Sequence, residues 1–339
     1  MKTLVTGGTG FIGSHLVKAL LEQGREVIVA SDFSRLGMEN LADLGLRVSD
    51  IEVREADLSD YAQALRAVEG AGVIFHLAAR VGSLEYLHGS AQAELAALQT
   101  NLVIDANVFK ACLEKGVQKI IYASSCAVYP MHKQSSSDAI FSESDLILAF
   151  NPQPLNPDGG YGWAKLLGEI QLSWMGGNIG IARIFNVYGE NEPLGEKAHV
   201  IGDLIQKTIL SPERDLIVRG DGNQTRDFLY VSDCVDALLK LEQKLSNTNS
   251  KDSRNSLTLN IGSGKAVSIR TIAEKVVEVS GKNIGIKYDL SKPVGPISRT
   301  ADITKARTLL NWQPRVTLDE GLNQTYAWAE KRLKKSLSP

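Results

Sequence analysis

Through the first half of the chain, apolar residues fall in short unbroken runs: "TLVTG" at 3–7, "EVIVASD" at 26–32, "GVIFHLAA" at 72–79 and "KIIYASS" at 119–125. Runs of this kind, without polar alternation, predict strands buried on both faces, the habit of parallel sheets. Between them "SHLVKALLEQG" at 14–24 and "LVIDANVFKACLEKG" at 102–116 bring apolar residues back every three or four positions, which predicts helices. Strand and helix in alternation predict an α/β fold, a Rossmann-type doubly wound parallel sheet.

The pattern changes at about residue 130. "PMHKQSSSDAIFSESDLILAFNPQPLNPDGG" has no sustained period and reads as a long connection, a kind of segment that is often functional. A helix is expected from Tyr161 to Trp174, then a strand "GIARIFNVYG", a polar surface loop "NTNSKDSRNS" at 247–256 and a returning strand "LTLNIGSG". These expectations divide the chain into a cofactor-binding domain over 1–186, to which 226–262 returns, and a smaller C-terminal α/β substrate lobe over 187–225 and 263–335.

Composition narrows the function. The chain has 339 residues, 43% hydrophobic and 22% charged, with a formal net charge of −2 and both signs interspersed. No basic stripe suits a nucleic acid or an anionic membrane, so small-molecule chemistry is expected. Cys112, Cys126 and Cys234 are far apart and odd in number, with no CxxC, so neither a disulfide framework nor a metal site is expected. "LVTGGTGFIG" is too short and too glycine-broken for a signal segment or membrane span, and the expected location is the cytoplasm.

"TGGTGFIG" sets Gly7, Gly10 and Gly13 between the first strand and first helix, with Phe11 and Ile12 opening that helix. Glycines there permit a tight turn and close approach of backbone to a pyrophosphate, which sits on amides at the positive end of the helix. Asp32 ends the second strand about 20 residues on, where a carboxylate accepts from a ribose and repels a 2′-phosphate. NAD is therefore the expected cofactor, with Arg35 nearby; Asp32 is otherwise a helix cap or turn residue. Asp57 and Leu58, after the third strand, are placed at the adenine. Leu77, Ala78 and Ala79 are small enough to let the cofactor approach, and His76 reads as a packed histidine.

"YGWAK" puts Tyr161 and Lys165 one turn apart on one helix face. A cation beside a phenol favours the phenolate, which makes Tyr161 a usable base. Together with the glycine motif, Asp32, "HLAA", Asn101, Ser125, "FNVYG" and "RDFLYV" in this order, the chain resembles the extended short-chain dehydrogenase/reductase family over nearly its whole length. The resemblance implies a Ser125, Tyr161 and Lys165 triad, with Asn101 supporting the active-site helix. It also implies a nucleotide-sugar substrate met by Gly82, Ser83, Asn186, Arg226 and Arg299, and a homodimer through helices over 101–115 and 161–174.

Within the family, "ASDFSR", "AARVGSLEY", "YASSCAVYP", "GEKAH" and "GDGNQTRDFLYVSDCV" are most similar to the GDP-mannose 3,5-epimerases. Such an enzyme oxidises the sugar at C4, inverts the acidified C3 and C5 positions with a base and an acid, and reduces the ketone again. Lys197 matches the acid lysine of these enzymes, and His199 falls where the GDP-fucose synthases carry an acid histidine; the two are otherwise a surface lysine and a loop histidine. The expected cysteine base is displaced: Ala127 occupies its position, and Cys126 sits one residue nearer Ser125. Cys126 is thus either an acid or base or a compact packing residue. A UDP-hexose or UDP-uronate 4-epimerase needs no second base. Further alternatives are a sugar-nucleotide reductase or dehydratase, and a non-catalytic NAD-binding scaffold.

Overall fold

The computed structural model describes the chain apart from residues 34–36, 137, 147–154, 211–214, 246–253, 293 and 338–339. Its order opens with β1 (Lys2–Thr6), α1 (Phe11–Glu22), β2 (Val27–Ser31), α2 (Glu39–Asp43), β3 (Glu52–Glu55), α3 (Tyr61–Val68) and β4 (Ala71–His76). It continues through α4 (Leu84–His88), α5 (Ala91–Lys115), β5 (Lys119–Ser125), β6 (Ile140–Phe141), α6 (Gly159–Met175), β7 (Gly177–Ile184) and β8 (Asn186–Tyr188). Next come α7 (Val200–Leu210), β9 (Leu216–Arg219), β10 (Thr225–Tyr230), α8 (Val231–Lys244) and β11 (Arg254–Ile261). The chain closes with β12 (Ala266–Ser268), α9 (Ile269–Ser280), β13 (Ile286–Asp289), β14 (Ser298–Ala301), α10 (Thr304–Leu310) and α11 (Leu318–Leu337).

The apolar runs become a seven-stranded sheet in the order β11-β7-β5-β4-β1-β2-β3, parallel at every pairing. Successive residues serve opposite faces, as the pleat requires. Leu4, Ile28 and Ile74 pack with Val68, Val108 and Phe109 from α3 and α5. Val5, Val29 and Phe75 pack on the other face with Leu16, Leu20 and Leu238 from α1 and α8.

The run expected as one strand, "GIARIFNVYG", divides. β7 stays in the large sheet, Phe185 donates its amide to Ile261 O, and β8 crosses to pair with β10 in a second sheet. That second sheet runs β12-β10-β14-β6 with β8 alongside β10, and a two-stranded pair joins β13 and β9. The break carries Asn186 out of the large sheet. The long connection after β5 is anchored at β6, which pairs with β14.

Candidate active site

The strand order reverses between β1 and β4, and their carboxyl ends open a crevice at that switch point. Gly7 leaves β1 with φ +67°, and a Cβ on it would stand 3.0 Å from the backbone of Ala78 after β4. Gly13 presses α1 onto that turn so closely that a Cβ would lie 2.1 Å from Gly7 O. Gly10 caps α1 without a side-chain hydrogen bond, and Phe11 and Ile12 begin the helix half-buried. Opposite, Leu77, Ala78 and Ala79 are half-buried, and the Leu77 and Ala78 amides donate to Thr6 Oγ1 at 3.1 and 3.2 Å. A cradle this narrow, beside an uncapped helix N-terminus, fits a dinucleotide pyrophosphate. Asp32 is exposed past β2. Asp57 is exposed and holds the Ser59 amide and hydroxyl on Oδ1 at 2.9 and 2.7 Å, whereas Leu58 is buried. Arg35 lies outside the described residues.

β5 ends on Ser125, whose Oγ accepts the Ala127 amide at 3.1 Å and so keeps its own hydrogen to donate. Ala127 O in turn accepts the Asp158 amide at 2.8 Å, tying the start of α6 to the turn after β5. At the same helix end Glu94 Oε2 accepts the Gly160 amide at 2.5 Å, a carboxylate at the positive end of a helix. Tyr161 is half-buried one turn before Lys165, which is 1% exposed with Nζ 4.6 Å from the Tyr122 ring centroid. Burial pushes the Lys165 ammonium below its ordinary range, and the charges of Asp105 and Glu169 oppose that. Asn101 is buried and makes three bonds: its Nδ2 donates to Ala97 O and Arg80 O, and its Oδ1 accepts the Arg80 amide at 2.7 Å. What Asn101 steadies through these bonds is the segment after β4.

The second sheet supplies the other wall. Arg226 and Arg299 face each other in register on β10 and β14. Arg226 Nη1 donates to Thr225 O and Pro296 O, both at 2.7 Å; burial, then the neighbouring Arg299 charge, push the guanidinium down to about 10. Arg299 donates to Gln134 Oε1 and to Asp158 Oδ2, each at 2.7 Å. Two guanidiniums against the one carboxylate of Asp158 leave positive charge over, which suits a diphosphate. Arg226→Gln should weaken UDP or GDP binding by about 30-fold, roughly 2 kcal/mol. Calorimetry finding unchanged affinity for both nucleotides would remove Arg226 from the site.

Cys126 sits behind this pair, 5% exposed, with Sγ 3.8 Å from Arg299 Nη1; burial pushes its thiol up, and Arg299 opposes. Asn186 is half-buried on β8, and its Oδ1 is a buried acceptor without a hydrogen bond among the described residues. Gly82 is buried, and Ser83 donates to Glu196 O at 2.7 Å, joining the segment after β4 to the turn that carries Lys197. Lys197 Nζ lies 5.2 Å from the Tyr86 ring centroid, which Arg80 also meets at 4.4 Å. His199 lies apart from Lys197's partners: its Nδ1 is 3.6 Å from Glu192 Oε1, whose carboxyl is raised by burial. Thus Cys126, Arg226 and Arg299 form one group, and Lys197 joins Ser83 through Glu196 and Tyr86. Asp105, Tyr122, Gln134 and Asp158 were not singled out by the sequence. A lone carboxylate inside "LVIDANVF" was the visible signal for the first of them.

Residues 3–262 match the NAD dependent epimerase/dehydratase family. The GDP-mannose 3,5-epimerase of Arabidopsis thaliana is 30% identical over 346 residues, spanning 99% of this chain and 84% of that protein. Among solved structures, UDP-glucose 4-epimerase from Thermotoga maritima, with UDP-glucose, superposes with TM-score 0.82 at 27% identity, covering 98% of this chain and all of that one. UDP-glucuronic acid 4-epimerase from Bacillus cereus, in complex with UDP-glucuronic acid and NAD, gives 0.80 at 28% identity over 98% of this chain and all of that one.

Proposed function

Because the chain belongs to the NAD dependent epimerase/dehydratase family, we propose that it is a sugar-nucleotide epimerase that oxidises its substrate transiently at C4. Bound NAD supplies the chemistry of accepting a hydride from the sugar carbon and giving it back. Tyr161 takes the C4 hydroxyl proton, and the Lys165 charge one turn away favours its phenolate. Ser125, whose hydroxyl is a donor and whose Oγ is fixed by the Ala127 amide, stabilises the oxygen as it becomes a ketone. Arg226 and Arg299 hold the diphosphate and Asn186 meets the sugar end, so that the keto-sugar turns while its nucleotide stays anchored. After the turn Tyr161 returns the proton.

The observation that carries the finer choice is Cys126. Its thiol is buried, and burial pushes it up against the opposing Arg299 guanidinium 3.8 Å away, which favours the thiol over the thiolate that a base at C3 or C5 would need. That favours 4-epimerisation of a UDP-hexose or UDP-uronate, which needs no second base. It reverses the order that the sequence segments alone suggested, and Cys126 is then a compact neighbour of Ser125 and Arg299. Cys126→Ala should accordingly keep kcat within about threefold of the parent on its UDP-sugar. A loss of about 10²-fold or more, the scale of a missing acid or base, would return Cys126 to the chemistry.

GDP-mannose 3,5-epimerisation stands as the second reading. It is favoured by the 30% identity to the Arabidopsis enzyme and by Lys197, an acid candidate tied through Glu196 to Ser83. The enzyme is read as a cytoplasmic homodimer through the helical stretches 101–115 and 161–174, which expose Val103, Leu113, Trp163 and Trp174.

A further inference from the structure

Asp105 lies midway along α5 and is 0% exposed. Its Oδ1 meets His76 Nε2 at 3.0 Å, and its Oδ2 accepts from Tyr122 Oη at 2.5 Å. The direction of the first bond follows from Thr6. Thr6 Oγ1 takes the amide hydrogens of Leu77 and Ala78, so its own hydrogen goes to His76 Nδ1 at 2.7 Å and leaves His76 Nε2 to donate. Both partners of Asp105 are therefore donors, and neither is a lysine or an arginine.

A buried carboxylate persists as an anion only with a charge to answer it. The candidate comes from α6. Lys165 stacks its ammonium on the ring of Tyr122, whose hydroxyl is the one on Asp105. The helix backbone is pressed against the carboxylate at Gly168, where a Cβ would stand 2.4 Å from Tyr122 Oη and 2.9 Å from Asp105 Oδ2.

Among the described residues, the titratable groups of this cluster are Asp105 from α5, Tyr122 from β5, Tyr161 and Glu169 from α6 itself, and His76 from β4, which bonds Asp105 and stacks on Tyr122. Glu169 is already answered, because Arg183 of β7 reaches it at 2.8, 3.0 and 3.2 Å and Ser124 donates to it at 2.5 Å. Asp105 is not. Both carboxylates act on the Lys165 ammonium across this cluster, but among the described residues only Asp105 has no lysine or arginine bonded to it.

We propose that Asp105 is the counter-ion of Lys165, acting across Tyr122 as a positioning residue that keeps the buried ammonium charged beside Tyr161. Through His76 and Thr6 the same carboxylate is linked to the Leu77 and Ala78 amides that border the dinucleotide crevice. One chain of hydrogen bonds thus runs from the cofactor wall to Tyr122, on whose ring the ammonium that activates the base is stacked.

The inference rests on the role given to Lys165 above, yet its test needs no substrate. The whole protein, labelled with ¹³C at lysine Cε, is titrated by NMR, and the Lys165 signal is identified by its loss in Lys165→Met. Asp105→Asn should lower the Lys165 midpoint by at least one pH unit, since removing a nearby anion destabilises the ammonium. Asp105→Glu should restore at least half of that shift. If Asp105→Asn does not fold by circular dichroism, Asp105→Ser carries the same expectation. An unchanged Lys165 midpoint in the neutral variant overturns the proposal. Absence of epimerase turnover in the parent protein would strike the functional reading and leave this result standing.

Discussion

Tyr161→Phe should lower turnover by about 10³-fold or more, within the range that a single general acid or base supplies. The substitution removes one oxygen from a half-buried ring and leaves α6 intact. The crevice between β1 and β4 is built from Gly7, Gly13 and Ala78, none of which the change touches. NAD affinity, followed by tryptophan fluorescence, should therefore stay within about threefold of the parent. Turnover close to that of the parent would remove Tyr161 from the chemistry, and with it the assignment of Lys165.

Gly13→Ala should act at the other half of the mechanism. The added methyl would come within 2.1 Å of Gly7 O, a backbone atom with no side-chain freedom to yield. Either α1 lifts from the sheet or the Gly7 turn moves, and both displace the amides that would cradle a pyrophosphate. NAD affinity should fall by about 100-fold, roughly 3 kcal/mol. Overpacking should also cost about 1–3 kcal/mol of stability without ligand. Calorimetry and a thermal melt check the two effects separately, and parental affinity in the variant would mean that the cofactor does not sit on this turn.

What the sequence made legible was local. Unbroken apolar runs predicted the parallel strands, because residues buried on both faces leave no polar alternation. Glycine spacing located the turn after β1 for a steric reason that Ala78 makes concrete. The division of "GIARIFNVYG" at Phe185 was not legible, since the pairing of β8 with β10 depends on residues about forty positions further on. Cys126 shows the same limit at the site: its neighbour Arg299 comes from β14, so neither its burial nor its raised thiol could be read from "YASSCAVYP". Asn101 was expected to brace the active-site helix, and its hydrogen bonds run to the Arg80 backbone and to Ala97. Asp105 was visible only as a carboxylate in an apolar run, and its meaning required His76, Tyr122 and α6 to be brought together.

The most direct test incubates the protein and NAD with UDP-glucose, UDP-glucuronate or GDP-mannose in deuterated water and follows the sugar protons by NMR. A redox-neutral epimerase inverting C4 predicts a new C4 epimer from one of the UDP-sugars, no deuterium at any ring carbon and no net accumulation of reduced cofactor. Deuterium at C3 or C5 of GDP-mannose would instead establish the 3,5-epimerase reading. Stoichiometric cofactor turnover, or no epimer from any of the three, would contradict the account.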